Sequence, residues 1–430
     1  MNQPQHKIYL PIILLLSWLG LTLFTFFFGP YEYKLTNPAI FYIYLFFIHL
    51  ALFMGYKRGQ KSLGREMRNK FNYTKFIKVT IIVSLLYFVV KLIMDFGGDA
   101  QNFTKTFNDA SNTYENSSLN NSNIFSYLDM LFGPISIIAI TNTIFSYNNL
   151  PKRYKYSVYI LIIFTIASSI GSATRSGIVQ IAIISMAAFS LGIYKKNIIL
   201  KYRHKVALWF FVISLVVGFL AYSSLLAATR GGGLIVNNPL TKEPPKEDFY
   251  LYKITSPIMH PLINNISFYI SHSYYNLNQA LNLPYKGLGF GLSNSYFIMN
   301  NVEKITGWSG LKDISYGVRL DKQAGIGGYG LYWSTFYTWI ASDFTFPGTI
   351  VLIYIMGYFL SLALIDSINF PNPLSVTVFC TLFFFIFHFA FNNPLQDGRG
   401  LTTYLILPII WLIFRRKTQT PIVQEDSKFK

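Results

Sequence analysis

A multi-span helical membrane protein is the fold this sequence predicts, and three observations predict it. Hydrophobic residues fill 52% of the 430 positions and charged ones only 13%, about half the roughly 25% usual for a soluble domain. The mean hydropathy is positive, at +0.37. Several apolar runs approach the roughly 20 residues that a helix needs to cross a bilayer core of about 30 Å.

The first run, Ile8 to Phe28, is too long for a secretory leader and has no small-residue cleavage site, so it reads as a retained span. Further spans are expected at 38–55, 76–95, 124–146, 157–173, 177–194, 206–228, 347–366, 374–391 and 400–414. The basic residues set their direction. Lys57, Arg58, Lys61, Arg65, Arg68, Lys70, Lys75 and Lys78 form one cluster; Lys152, Arg153 and Lys155 form a second. Lys195, Lys196, Lys201, Arg203 and Lys205 form a third, and Arg415, Arg416 and Lys417 a fourth. Short loops this basic stay in the cytoplasm, so about ten crossings leave both termini there.

The net charge of +18 is therefore assigned to topology and to anionic headgroups, and nucleic acid is not expected as a partner. The single cysteine, Cys380, lies in an apolar run. It excludes a disulfide framework and a cysteine metal site. No metal-ligand cluster is visible, and neither a metal nor a cofactor is expected.

Four regions result. Residues 1–228 form an N-terminal bundle of about seven spans, which includes a polar outer loop at 96–123. Residues 229–346 form a large outer loop, 347–414 carry three further spans, and 415–430 are a cytoplasmic tail. A connection of more than 100 residues is too long to be idle. Within it Ile263, Ile266, Phe268, Ile270, Tyr274, Leu277 and Leu281 recur at helical spacing. They predict an amphipathic helix lying on the bilayer or over the spans. The aromatic run Leu331 to Phe346 is expected to be re-entrant or interfacial, because a full span there would break the parity.

Two arginines stand out on the outer side. Arg175 lies in Gly-Ser-Ala-Thr-Arg-Ser-Gly between two spans, and Arg230 lies in Ala-Thr-Arg-Gly-Gly-Gly at the end of another. Guanidinium pairs bidentately with phosphate oxygens, and glycines let backbone N–H groups approach an anion. Either arginine alone also reads as snorkelling to headgroups or as a partner of Asp95 or Asp129. The pair, each at a tight outer turn, points to an anionic ligand.

Arg319 and Arg399 are weaker candidates of the same kind. Surface ion pairs with Asp313 and Asp321 account for Arg319, and pairing with Asp397 accounts for Arg399. His272, and to a lesser extent His260, are placed to act as a general base on a sugar hydroxyl, or as hydrogen-bonded interfacial histidines. Asp343, in Ser-Asp-Phe-Thr-Phe-Pro-Gly, reads first as a cap of the following helix and second as a catalytic acid–base group. Lys91 and Asp95, at i and i+4, suit an ion pair. The Gly-x-Gly-x-Gly at 287–291 has no strand–helix context for dinucleotide binding. Trp308, Tyr316, Tyr329, Tyr332 and Trp333 offer rings for sugar stacking or for an interfacial belt.

This layout resembles the bacterial O-antigen polymerase (Wzy) family. The features shared are about ten spans, Arg175 in an outer hairpin, Arg230 opening a late outer loop, and a Gly-Tyr-Gly-Leu-Tyr…Asp-Phe…Pro-Gly approach to the next span. The resemblance implies a membrane glycosyltransferase of GT-C-like architecture in the bacterial inner membrane. It would polymerise undecaprenyl-pyrophosphate-linked oligosaccharide repeat units at the periplasmic face. Its partners would be the lipid-linked donor and acceptor, membrane lipids, a chain-length regulator and a flippase. Arg175, Arg230 and Arg319 would hold pyrophosphate, and His272 or Asp343 would assist the acceptor hydroxyl. Two alternatives stay open: an O-antigen ligase transferring polymer to lipid A-core, and a lipid-linked oligosaccharide flippase or other transporter.

Overall fold

The computed structural model describes residues 9–62, 64–67, 72–96, 124–171, 174–199, 237–323 and 334–415, with Gly218 and Tyr222 between them. Regular structure among these residues is helical. Met67 and Arg415 form an isolated β-bridge, and no strand is present among the described residues. Arg230, the expected span at 206–228 apart from Gly218 and Tyr222, most of the polar loop at 96–123, the glycines at 325–330, and Tyr329, Tyr332 and Trp333 lie outside the described residues.

The first six helices are α1 (Leu10–Phe28), α2 (Pro38–Gln60), α3 (Tyr73–Phe96), α4 (Ile124–Phe145), α5 (Lys152–Gly171) and α6 (Ser176–Tyr194). Next come α7 (Tyr250–Ile254), α8 (His260–Leu281), α9 (Tyr296–Thr306), α10 (Gly310–Ile314) and α11 (Tyr316–Gln323). The chain then returns to long apolar helices with α12 (Phe336–Asn369), α13 (Pro373–Phe387) and α14 (Gly398–Phe414). Among the described residues seven helices are long and apolar enough to cross a membrane: α1, α2, α3, α4, α6, α12, and α13 with its short extension to Ala390. The chain is a helical membrane protein.

Their outward faces agree with that class. Phe24, Phe28, Phe46, Leu86 and Ile163 are all more than half exposed, an arrangement that water would penalise by about 25 cal/mol per Å² and lipid would not.

Close backbone approach builds the largest helix pair, α2 against α12. A Cβ on Gly55 would fall 1.9 Å from the Tyr354 carbonyl oxygen, and one on Gly357 would fall 2.3 Å from that of Leu52. Gly59 meets Ser361 and the Tyr358 carbonyl in the same way. Gly55 and Gly59 are one turn apart, so small residues replace side-chain bulk along the seam; in lipid, such packing rather than hydrophobicity holds helices together.

Polar clamps close one end of this bundle. Asp366 accepts from Arg415 through Nε at 2.6 Å and Nη2 at 3.0 Å, and from the Arg65 backbone at 2.8 Å. Lys195 donates to the Ile368 carbonyl at 2.6 Å. The described members of all four basic clusters lie at or beyond these same helix ends. Helices α7 to α11 gather at the opposite end.

Two expectations take a definite form. The amphipathic helix is real, as α8, but no side chain from Pro261 to Ala280 is exposed. It lies across the ends of the spans, and the rest of the chain covers it, so it is not a helix resting on the bilayer. The aromatic run before 347 is, in the part described, a helix of its own that ends at Thr345. Phe336–Phe344 is buried helix, apart from its exposed last residue, and it joins the rest of α12 through a break at Thr345 (φ 65°, ψ 166°). Pro347 removes a backbone donor just after the break, and the Thr345 hydroxyl accepts from the Gly348 N–H at 3.4 Å instead.

Candidate functional site

Helix α8 organises the site. Its sequence starts with a proline in the first turn, a favoured position because that N–H has no intrahelical partner. Along its length Asn264, Asn265, Ser267, Ser271, His272, Ser273, Asn276 and Asn278 are all buried. Buried polar side chains require partners, and several come from other elements. Tyr33 pairs with Ser271 at 3.1 Å, Thr22 with Tyr274 at 2.9 Å, and Thr36 N–H donates to Asn278 at 3.0 Å. Ser273 donates to the Phe391 carbonyl at 2.7 Å. The carboxamide oxygens of Asn265, Asn294 and Asn392 are also buried, and no described protein group donates to them.

Arg175 immediately precedes α6, and its guanidinium carbon stands 4.4 Å from the Tyr269 ring centroid on α8. The hairpin that presents it is tight: Thr174 N–H donates to the Ser169 carbonyl at 2.8 Å. A Cβ on Gly177 would strike the Ser169 hydroxyl at 2.2 Å. Tyr269 in turn meets His272 edge to face at 6.3 Å. Two residues nearly 100 positions apart in sequence thus share one ring.

His272 stacks on Phe268 at 4.6 Å, and its Nδ1 lies 2.8 Å from the Phe268 carbonyl oxygen. A carbonyl only accepts, so Nδ1 carries the proton and Nε2 the lone pair. Burial pushes the imidazole down to about 4, because a charged ring loses its hydration there. The side chain is therefore neutral near pH 7 and a weak base, suited to accept a hydrogen bond and orient its donor.

Arg319 and Asp343 fall in a second neighbourhood, near the far end of α8. Arg319 is buried, donates to the Pro284 carbonyl at 2.9 Å and stands over Tyr316 at 5.4 Å. The surface ion pairs expected for it do not form with it: Lys322 takes Asp313 at 3.1 Å, and Tyr296 donates to Asp321 at 2.8 Å. About 14 Å of helix separates His272 from Leu281 at that end. Arg319 thus clamps the loop after α8 and is not assembled with Arg175.

Asp343 is neither cap nor free acid. Its Oδ1 accepts from Ser293 N–H at 2.9 Å and Ser293 Oγ at 2.8 Å, and its Oδ2 accepts from Asn294. With both oxygens engaged and the residue fully buried, it serves as a latch holding the 287–295 segment to α12. Gly289 is small for this reason. A Cβ there would lie 2.3 Å from Asp343 Oδ1 and 1.8 Å from Ser293 Oγ.

One charged set was not legible in the sequence. Lys91 on α3 lies 3.3 Å from Asp129 on α4, and Tyr87 also donates to Asp129. Proximity across two helices thus supplies the lysine with a partner beyond the i+4 spacing expected. Arg399 lies against Gly133, in the field of Asp129 and Asp397. Asp397 itself caps the first turn of α14 through the Gly400 N–H at 2.6 Å, so the expected Asp397–Arg399 pair is not a direct bond. His260 stacks on Tyr252 at 4.2 Å, apart from the Arg175 group.

The helical membrane class is as far as fold and site define the protein directly. Compared with models of known families, with curated proteins and with solved structures, the chain matches none.

Proposed function

We propose that this protein is a membrane glycosyltransferase that polymerises lipid-pyrophosphate-linked oligosaccharide repeat units, acting where α8 crosses the ends of the spans. The observation that supports it is the meeting of Arg175 with His272 through Tyr269, on a buried helix rich in carboxamides and hydroxyls. Sugar hydroxyls are donors that match the carboxamide oxygens of Asn265, Asn294 and Asn392. A diphosphate is an anion that a guanidinium can pair with bidentately.

In this reading the acceptor sugar hydroxyl attacks the anomeric carbon of the donor, and the bond to pyrophosphate breaks. Arg175, placed over Tyr269, offsets charge developing on the departing diphosphate. His272 accepts a hydrogen bond from the acceptor hydroxyl through Nε2 and aims it; the proton passes on to the leaving diphosphate or water. Arg230 is assigned to the same diphosphate on its glycine-rich sequence alone. About ten spans, GT-C-like architecture, a periplasmic site, cytoplasmic termini and residence in a bacterial inner membrane complete the proposal. The basic end would face the cytoplasm.

The Lys91–Asp129–Arg399 set favours a second reading. Ionisable groups among spanning helices are common on transport paths, and a lipid-sugar flippase would use them. Complementation of a deletion strain separates the two. Arg175→Ala, with wild-type protein abundance, is expected to leave single-repeat glycolipid and remove the polysaccharide ladder, and Tyr269→Phe to keep most of it. A full ladder from abundant Arg175→Ala protein would sink the site. Liposomes in which the wild type moves lipid-linked sugar without lengthening it would establish transport instead.

A further inference from the structure

The Gly-x-Gly-x-Gly run at 287–291 takes no part in the transfer proposed above, yet the fold invests several contacts in its shape. Gly289 packs on Asp343, and Gly287 and Gly291 hold φ values of 131° and 87° that other residues avoid. Between them Phe290 sits at φ 51°, a left-handed conformation disfavoured for an aromatic residue and retained only where surroundings enforce it.

The enforced shape turns apolar side chains outward. Phe290 is 76% exposed, Tyr285 52%, Leu288 39% and Leu292 37%, with exposed Lys286 among them. Water would drive such a loop to collapse. Two anchors fix its height relative to the spans. Before it, Asn282 accepts from Asn37, the residue preceding α2. Within it, Gly289 N–H donates to the Ser342 carbonyl at 3.2 Å, beside the Asp343 latch and three residues before the break at Thr345. Both anchors are at the ends of spanning segments. Below them the lipid-facing side continues through Ile40 and Ile43 of α2 and Phe344 and Val351 of α12, 39–59% exposed.

We propose that residues 285–292 form a rigid interfacial finger that seats Phe290, Leu288 and Leu292 in the headgroup–acyl boundary of the bilayer. Lys286 reaches the lipid phosphates. A latched loop inserts without the ordering cost of a flexible one, and amphipathic segments at this level penetrate roughly 5–10 Å. The inference does not depend on the transferase reading.

The test uses full-length protein in phosphatidylethanolamine–phosphatidylglycerol vesicles, with Phe290→Cys carrying an environment-sensitive fluorophore. Native Cys380 is fully buried, and Cys380→Ser removes any background. Lys322→Cys, at a side chain 62% exposed on α11, is the aqueous control. Lipids spin-labelled near the carbonyl should quench the label at 290 several-fold more than at 322, and aqueous iodide several-fold less. Iodide quenching equal to the control would overturn the proposal. Protection from both quenchers would overturn it too, by revealing a protein partner. Adding Gly289→Ala should shift the label toward iodide, and an unchanged depth would refute the latch.

Discussion

His272 shows how far a single residue type can mislead when its surroundings are unknown. From the sequence it was a candidate general base, a role that favours a pKa near the working pH. Burial takes it to about 4 instead, which leaves an oriented neutral ring. The same depression makes a stability prediction. The unfolded chain, with its histidine near 6.5, binds a proton over the window from about 6.5 to 4 that the folded protein refuses. Stability should therefore fall on acidification through that window, by about 3 kcal/mol in total for this group. His272→Gln, compared with wild type by thermal unfolding in detergent at pH 7.5 and 4.5, should lose less stability on acidification than wild type. An equal loss in both would show that the ring is not buried in the neutral form. Asp343 teaches the same lesson in reverse. Its flanking Pro-Gly read as a helix start, but the carboxylate is spent on Ser293 and Asn294, residues 50 positions away that no local pattern names. Asp343→Ala should therefore lower protein abundance and heat stability along with activity, because it strands three donors in the interior.

At the scale of elements, seven of the ten expected apolar runs coincide with helices long and apolar enough to span, because lipid requires every backbone group to be satisfied within the helix itself; those at 157–173 and 400–414 are helical without reaching that measure. How those helices pair was less evident. The Gly55–Gly59 spacing on α2 gains meaning only when Gly357 and Ser361 of α12 are found opposite. Gly55→Leu should lower the midpoint of thermal unfolding markedly, at a cost of at least the 1–3 kcal/mol typical of overpacking, since the obstacle is the backbone carbonyl of Tyr354 and cannot rotate away. A substitution that left the midpoint unchanged would contradict the close α2–α12 seam. Asp366 is the matching case at the basic end. Asp366→Asn leaves Arg415 without its carboxylate, and removing one partner of a buried pair costs about 3–5 kcal/mol. Restoring stability with Arg415→Gln in the same chain would confirm that the loss comes from the stranded charge. Helix α8 was foreseen as amphipathic. Its burial was not, because covering residues come from α1, α12 and the 31–37 segment, elements remote in sequence.

For the whole molecule, the charge asymmetry carries the prediction. The described basic clusters lie at the end of the bundle opposite α7–α11. Cysteines at Lys196 and at Lys322 should therefore label from opposite sides of a sealed membrane, with 196 reachable only after permeabilisation. Labelling of both from the same side would invalidate the topology and, with it, the assignment of Arg175 to an outer site. The bundle also brings Arg175 within reach of α8 while leaving Arg319 at the other end of that helix, so two of the arginines grouped by sequence fall in separate neighbourhoods.

Sequence alone determined the helical membrane class of this protein, seven of its apolar spans and the position of its basic clusters. Each follows from composition acting locally: hydropathy over one helix length, and charge over one short loop. Tertiary structure alone decided which polar residues meet. Arg175 beside Tyr269, Lys91 beside Asp129, and Asp343 beneath Gly289 are contacts between separate elements, set by packing, and packing depends on the shapes of both partners at once.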